Sequence, residues 1–160
     1  MPNESTAALL FQESNLRYGL FKFQAVLELD FGLERGAMTK RKILVVDDEP
    51  NILLSLEYIL EQEGYEVHVA RDGEGALAVA EKVGPDLILL DVAMPRQDGF
   101  EVCRVLREHP RLQTVKIVML TAKGQPLERK KGLEVGADVY VTKPFSAEDL
   151  LAKIRVAIDS

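Results

Sequence analysis

The chain has 160 residues, 47% of them hydrophobic, which is enough to bury a core and on length alone favours one domain. A net charge of −6 argues against direct nucleic-acid binding, because a face that reads DNA or RNA neutralises phosphates with Lys and Arg. No apolar run approaches the roughly 20 residues of a membrane-spanning helix, the first residues do not resemble a signal peptide, and the single Cys103 cannot close an internal disulfide. The expectation is a soluble, cytoplasmic protein without membrane insertion, with Cys103 a small buried apolar residue.

Residues 1–37 differ in pattern from the rest of the chain. Between Phe21 and Phe31 the odd positions are apolar and the even ones polar except at Val26, which is strand periodicity. An isolated amphipathic strand cannot bury its own face. The segment is therefore either a leader or upstream-extended start, or a docking or dimerisation arm, and Met38-Thr39-Lys40-Arg41 reads as a fresh beginning. Asp30-Phe31-Gly32 has none of the companion motifs a kinase would show and carries no assignment. The main domain is placed at 38–160.

From Lys42 onward strands and helices alternate. The pattern predicts strands at 43–46, 66–70, 86–90, 115–120 and 139–141. Helices are predicted at 50–63, 73–83, 100–108, about 127–135 and 147–158. In the first helix Ile52, Leu53, Leu56, Ile59 and Leu60 form one stripe, stopped by Gly64; in the second, Ala76, Leu77 and Ala80 face inward before Gly84-Pro85. The third strand, rich in Leu and Ile with no polar face, is the kind buried on both sides. Strands joined by helical crossovers pair in parallel with helices on both faces. The prediction is an α/β, doubly wound, five-stranded parallel sheet of flavodoxin-like type, order 2-1-3-4-5.

Chemistry in such sheets collects at the carboxyl ends of the strands. The first strand ends in Asp47-Asp48-Glu49 and the third in Asp91, and the predicted order makes those strands neighbours. Three converging carboxylates repel one another, and a divalent cation resolves the conflict. An all-oxygen set points to Mg²⁺ or Mn²⁺, since Zn²⁺ favours His or Cys and this edge offers neither; His68 and His109 lie elsewhere. The fourth strand brings Thr121 and the fifth Lys143-Pro144-Phe145. Metal, ammonium and hydroxyl together match the three oxygens of a phosphoryl group. A cis Lys143-Pro144 bond is compatible with this arrangement.

Asp47-Asp48, Asp91, Thr121 and Lys143-Pro144-Phe145, each at its own strand end, resemble the receiver domain of two-component response regulators, of the stand-alone chemotaxis-Y-like kind. The resemblance spans about 39–160. It implies that Asp91 is a phosphoacceptor for a sensor histidine kinase or a histidine phosphotransfer protein. It further implies Mg²⁺ ligation by Asp48, Asp91 and the Ala93 backbone carbonyl, with Asp47 acting through water, and Lys143 on the phosphoryl group. Thr121 would swing toward that group and Tyr140 rotate inward behind it, changing the surface of the last two helices and the strand between them.

Leu54 and Tyr58, one turn apart and opposite the core stripe, form a candidate kinase-docking patch. Ala93 and Lys123 flank the approach to Asp91, and because alanine cannot orient an attacking water, a long-lived phosphoryl state is expected. Glu128-Arg129-Lys130-Lys131 reads as a solvated helix face, with an output-partner surface as the alternative. The protein is expected to be no enzyme beyond its own Asp phosphorylation and dephosphorylation, and to act on an effector protein by contact; a homodimer is left open. A stand-alone receiver is favoured over a fragment of a longer transcriptional regulator or a pseudo-receiver scaffold. A nucleotide-binding module would need a Gly-rich first turn where this chain has Asp-Asp-Glu-Pro. A haloacid-dehalogenase-type phosphohydrolase would need Asp-x-Asp on the first strand.

Overall fold

Ten elements alternate in the computed structural model, which describes residues 39–95, 97–122 and 126–160, without the side chains of 126–129. They are β1 (Lys42–Val46), α1 (Pro50–Gln62), β2 (Glu66–Ala70), α2 (Gly73–Val83), β3 (Leu87–Asp91), α3 (Gly99–Glu108), β4 (Lys116–Thr121), α4 (Pro126–Glu134), β5 (Val139–Thr142) and α5 (Ala147–Asp159). The strand periodicity read at 21–31, the extension to residue 37, Lys123 and the side chains of Glu128 and Arg129 lie outside the described residues.

The five strands form one sheet in the order β2-β1-β3-β4-β5, every pair parallel, as the crossover argument required. Side chains alternate across it. Leu44, Val46, Ile88, Leu90, Ile117 and Met119 pack on one face against α2 and α3. Ile43, Val45, Leu87, Leu89, Val118 and Leu120 pack on the other against α1 and α5. All five residues of β3 are buried, and up to Asp91 its sequence is apolar on both sides, as burial on both faces requires.

Helix starts follow local chemistry. Pro50 occupies the first turn of α1, where its missing N–H costs nothing. Asp72, Asp98 and Ser146 cap α2, α3 and α5 by accepting from the backbone N–H of Gly75, Phe100 and Asp149, each worth about 1 kcal/mol. Gly84 ends α2 in the left-handed region at φ 62°.

β3 and β4 each begin and end one residue later than apolar periodicity indicated, and β5 also ends one later, so Asp91, Thr121 and Thr142 are the last residues of their strands. The ladder continues under them: Val92 N–H donates to the Leu120 carbonyl at 2.9 Å, and Lys143 N–H donates to the Thr121 carbonyl. Hydrogen bonding, blind to side-chain polarity, extends a strand past the point where hydrophobicity stops.

The start of α3 is pressed against the end of β3. Gly99 N–H donates to the Val92 carbonyl at 3.0 Å. A Cβ on Gly99 would stand 2.3 Å from the Asp91 carbonyl oxygen and 2.8 Å from Val92 Cα, so only glycine fits. Gly99→Ala is expected to destabilise the protein by about 1–3 kcal/mol, the usual range for forced overpacking, read as a lower urea midpoint at unchanged m-value; an unaltered midpoint would show that this contact relaxes freely.

Candidate functional site

The strand ends deliver the polar residues to one edge. Asp47 follows β1 and is fully buried, Asp91 closes β3 at 4% exposure, and Thr121 closes β4 at 2%. These are the buried polar or charged residues among those described. Asp48 is half-buried beside them. One carboxylate oxygen from each of Asp47, Asp48 and Asp91 lies within 4.8 Å of the others.

Lys143, just after β5, reaches into this group. Its Nζ donates to Asp47 Oδ2 at 3.1 Å and to Asp91 Oδ1 at 3.2 Å, with the side chain 21% exposed. The Lys143-Pro144 bond is cis. Asp47 is held from its other oxygen as well, Oδ1 accepting from Glu49 N–H at 2.9 Å. Asp47 is thus fixed from both sides, whereas Asp48 carries no hydrogen bond of that kind among the described residues and keeps its carboxylate toward the group.

Electrostatics follow from this packing. Burial is the largest influence on Asp91 and raises its pKa above the ordinary 3.8; the charge of Asp47 adds to the rise, while Lys143 and the Ala93 backbone N–H oppose it without cancelling it. For Lys143 burial is again the largest single influence and pulls downward, but the Asp47 hydrogen bond and the charges of Asp91 and Asp47 together prevail, and its pKa is raised above 10.5. Three carboxylates against one ammonium leave an excess of negative charge in a confined space. An oxygen-only donor set with that excess fits a hard divalent cation.

The remaining sequence-predicted site residues are spread over the loop after β3, over β5 and over α1. Ala93 is exposed, two residues beyond Asp91. Tyr140 pairs in register with Met119, two residues before the Thr121↔Thr142 pair, and its ring packs partly buried against the core and against Gly132. Leu54 and Tyr58 are 64% and 65% exposed on α1. His68 contacts Glu66 and His109 contacts Glu81, both apart from the carboxylate group. Cys103 is fully buried and its thiol is pushed up to about 11 by burial.

One contact has no local signal in the sequence. Lys131, read as part of a solvated face, places Nζ 3.3 Å from Asp98 Oδ2 and 4.4 Å from the centre of the Phe100 ring. The partners are some thirty positions apart in the chain, beyond the reach of any periodicity.

The family model for the response regulator receiver domain matches residues 43–155. The chain belongs to that family. It is 49% identical over 118 residues to the alkaline phosphatase synthesis transcriptional regulatory protein PhoP of Bacillus subtilis, covering 74% of this chain and 48% of that protein. The receiver thus spans about half the length of that curated relative. Among solved structures it is similar to the chemotaxis protein CheY4 of Vibrio cholerae, with TM-score 0.71, 37% identity, and coverage of 74% of this chain and 98% of that one. It is also similar to a response regulator from Chloroflexus aurantiacus, with TM-score 0.72, 36% identity, and coverage of 76% and 99%. A third is the BeF3-activated receiver domain of Klebsiella pneumoniae RstA, with TM-score 0.70, 32% identity, and coverage of 75% and 100%. As a receiver the protein is a two-component signalling domain, a switch more than a conventional enzyme.

The raised pKa of Asp91 fixes the sign of a stability effect. A group that holds its proton more tightly when folded contributes stability below its unfolded pKa and loses it as pH rises through the folded value. Without divalent cations, Asp91→Asn is therefore expected to raise stability at pH 7 by on the order of 1 kcal/mol, with the gain shrinking as pH falls toward 4. Lys143, raised above 10.5, stays charged throughout that window and does not reverse the sign. Thermal unfolding of both proteins between pH 4 and pH 8 checks this; a gain that grows on acidification contradicts it.

Proposed function

We propose that this receiver accepts a phosphoryl group on Asp91 from the phosphohistidine of a sensor histidine kinase or histidine phosphotransfer protein. The observation that carries the reading is the Lys143 ammonium bridging Asp47 and Asp91 inside a three-carboxylate group at the strand edge. Asp48, Asp91 and the Ala93 backbone carbonyl are the residues that would hold Mg²⁺ or Mn²⁺, with Asp47 acting through water. When bound, the cation supplies positive charge that offsets repulsion between an anionic acceptor and an anionic donor.

The chain's own residues supply the rest. An Asp91 carboxylate oxygen forms the new bond to phosphorus as the bond from phosphorus to the donor imidazole nitrogen breaks. The electron pair leaves with the imidazole, which takes up a proton. Lys143 exchanges part of its carboxylate contact for a phosphoryl oxygen, holding the group in place. Thr121, buried at the end of the neighbouring strand, turns its hydroxyl toward the phosphoryl group, and Tyr140 occupies the space this opens. The consequence is an altered surface over α4, β5 and α5, read by a partner protein. The reaction is confined to the protein's own aspartate, so it is a switch with self-directed chemistry only.

Leu54 and Tyr58 are assigned to donor docking, a reading supported by two large apolar side chains standing free on the helix that follows Asp47 and Asp48. No described helix is long and apolar enough to cross a membrane, and the cytoplasm, where such donors work, is the proposed location. A second reading, a receiver serving a transcriptional regulator, is favoured by the likeness to PhoP.

Acetyl phosphate with Mg²⁺ should add one phosphoryl group to the intact mass, none to Asp91→Asn, and none in the presence of EDTA. Lys143→Ala should slow the addition by on the order of 100-fold. Multiple additions, or modification that survives Asp91→Asn, would assign the chemistry elsewhere. For docking, Leu54→Ala with Tyr58→Ala should slow transfer from a phosphohistidine donor roughly tenfold or more while leaving the acetyl phosphate rate unchanged; equal rates with both donors would remove the assignment.

A further inference from the structure

Among the helices α4 is attached in an unusual way. Of its described side chains, Lys130 to Glu134, only Gly132 is buried, and Leu133 is 55% exposed. A helix with no apolar stripe in that stretch needs other means to stay in place. α3 provides them at two levels. Beyond the end of α4, Arg107 Nε donates to the Gly136 carbonyl at 2.8 Å and Nη2 to Asp138 Oδ2 at 2.8 Å. Near the acidic edge, Lys131 meets Asp98 and Phe100.

The second tie bears on the phosphoacceptor. Asp98 divides its oxygens: Oδ1 caps α3 by accepting from Phe100 N–H at 3.0 Å, and Oδ2 takes Lys131 at 3.3 Å. The next residue, Gly99, is packed against the Asp91 carbonyl too closely to admit a Cβ. Lys131 thus grips the first turn of α3, that turn abuts Asp91, and Val92 to Pro95 follow Asp91 directly. Lys131 also lines an open cleft of about 530 Å³ whose other walls include Ala93, Met94 and Gln97.

The geometry points to Lys131 as a positioning residue for the phosphoacceptor loop. By fastening α4 to the capped start of α3, it holds that turn against Asp91 and Val92, keeps the arrangement that presents Asp91 and the Ala93 backbone, and couples that arrangement to the position of α4. The ammonium acts by two contacts at once, an ion pair and a cation–π contact; arginine is able to make both, and a neutral side chain makes neither. Both contacts are partly exposed, with Lys131 55% and Asp98 46% accessible, so added salt weakens the tie.

The activity arm rests on Asp91 being the phosphoacceptor, whereas the structural arm does not. In ¹H–¹⁵N spectra of the protein without phosphodonor, Lys131→Ala should shift the amides of Val92, Ala93 and Gly99 and speed exchange at Phe100, with Lys131→Arg restoring both. With acetyl phosphate, Lys131→Ala should lower the apparent Mg²⁺ affinity by about three- to tenfold, Lys131→Arg should recover most of it, and high salt should narrow the gap between wild type and Lys131→Ala. A shifted thermal midpoint with Mg²⁺ affinity unmoved would reduce Lys131 to a role in stability and overturn the inference. Unchanged loop amides, or Mg²⁺ affinity that rises in Lys131→Ala, would overturn the inference. Absence of phosphorylation in the wild type would refute the acceptor assignment, and the amide spectra would still decide for or against the tie.

Discussion

One ammonium shared by two buried carboxylates organises the active edge. Asp47 and Asp91 leave adjacent strands and are almost wholly removed from water, a placement that would be severely unfavourable for two bare charges. Lys143 lies within hydrogen-bonding distance of both and offsets part of that cost, yet burial still raises the Asp91 pKa. The site is therefore held under residual negative charge, and it gains by taking up positive charge. A cluster with residual negative charge attracts a divalent cation more strongly than a neutralised one, while the Lys143 ammonium tempers the field an anion meets at the same edge.

The double-sided sheet makes this possible. Apolar residues alternate into two cores, so the five parallel strands are anchored on both faces and their ends are held in fixed register. Asp91, Thr121 and Thr142 each close a strand, with backbone bonds continuing beneath them. Their backbone is held by the ladder and not by loops, which fixes the starting direction of each side chain. Gly99 completes the support by letting α3 begin directly against the Asp91 carbonyl.

Rigidity is unevenly distributed around this edge. α1 and α5 bury leucine and isoleucine stripes, while the described part of α4 rests on Gly132, on the Tyr140 ring beside it, and on the polar ties from α3. A helix held by a few separable polar contacts is easier to displace than one seated in a core. That contrast falls where a receiver's output surface is proposed to change, next to the strand that carries Tyr140 and ends two residues later at Thr142.

The alternation of strands and helices and their parallel pairing were legible in the residues alone, because hydrophobic period and crossover geometry are local rules with a global consequence; the order 2-1-3-4-5 followed from the fold type, and with it the meeting of Asp47, Asp48, Asp91 and Lys143 at one edge. The sequence also marked Leu54 and Tyr58 as lying off the core stripe of α1. It stopped β3 and β4 one residue early, since periodicity ends at the last apolar side chain whereas hydrogen bonding does not. Folding had to bring distant segments together before Asp47 could be fully buried, Arg107 could gather the Gly136 carbonyl and Asp138, and Lys131 could meet Asp98 and Phe100. Those contacts join residues tens of positions apart, and their existence depends on how α3 and α4 lie against each other, a packing that no pattern within either helix encodes.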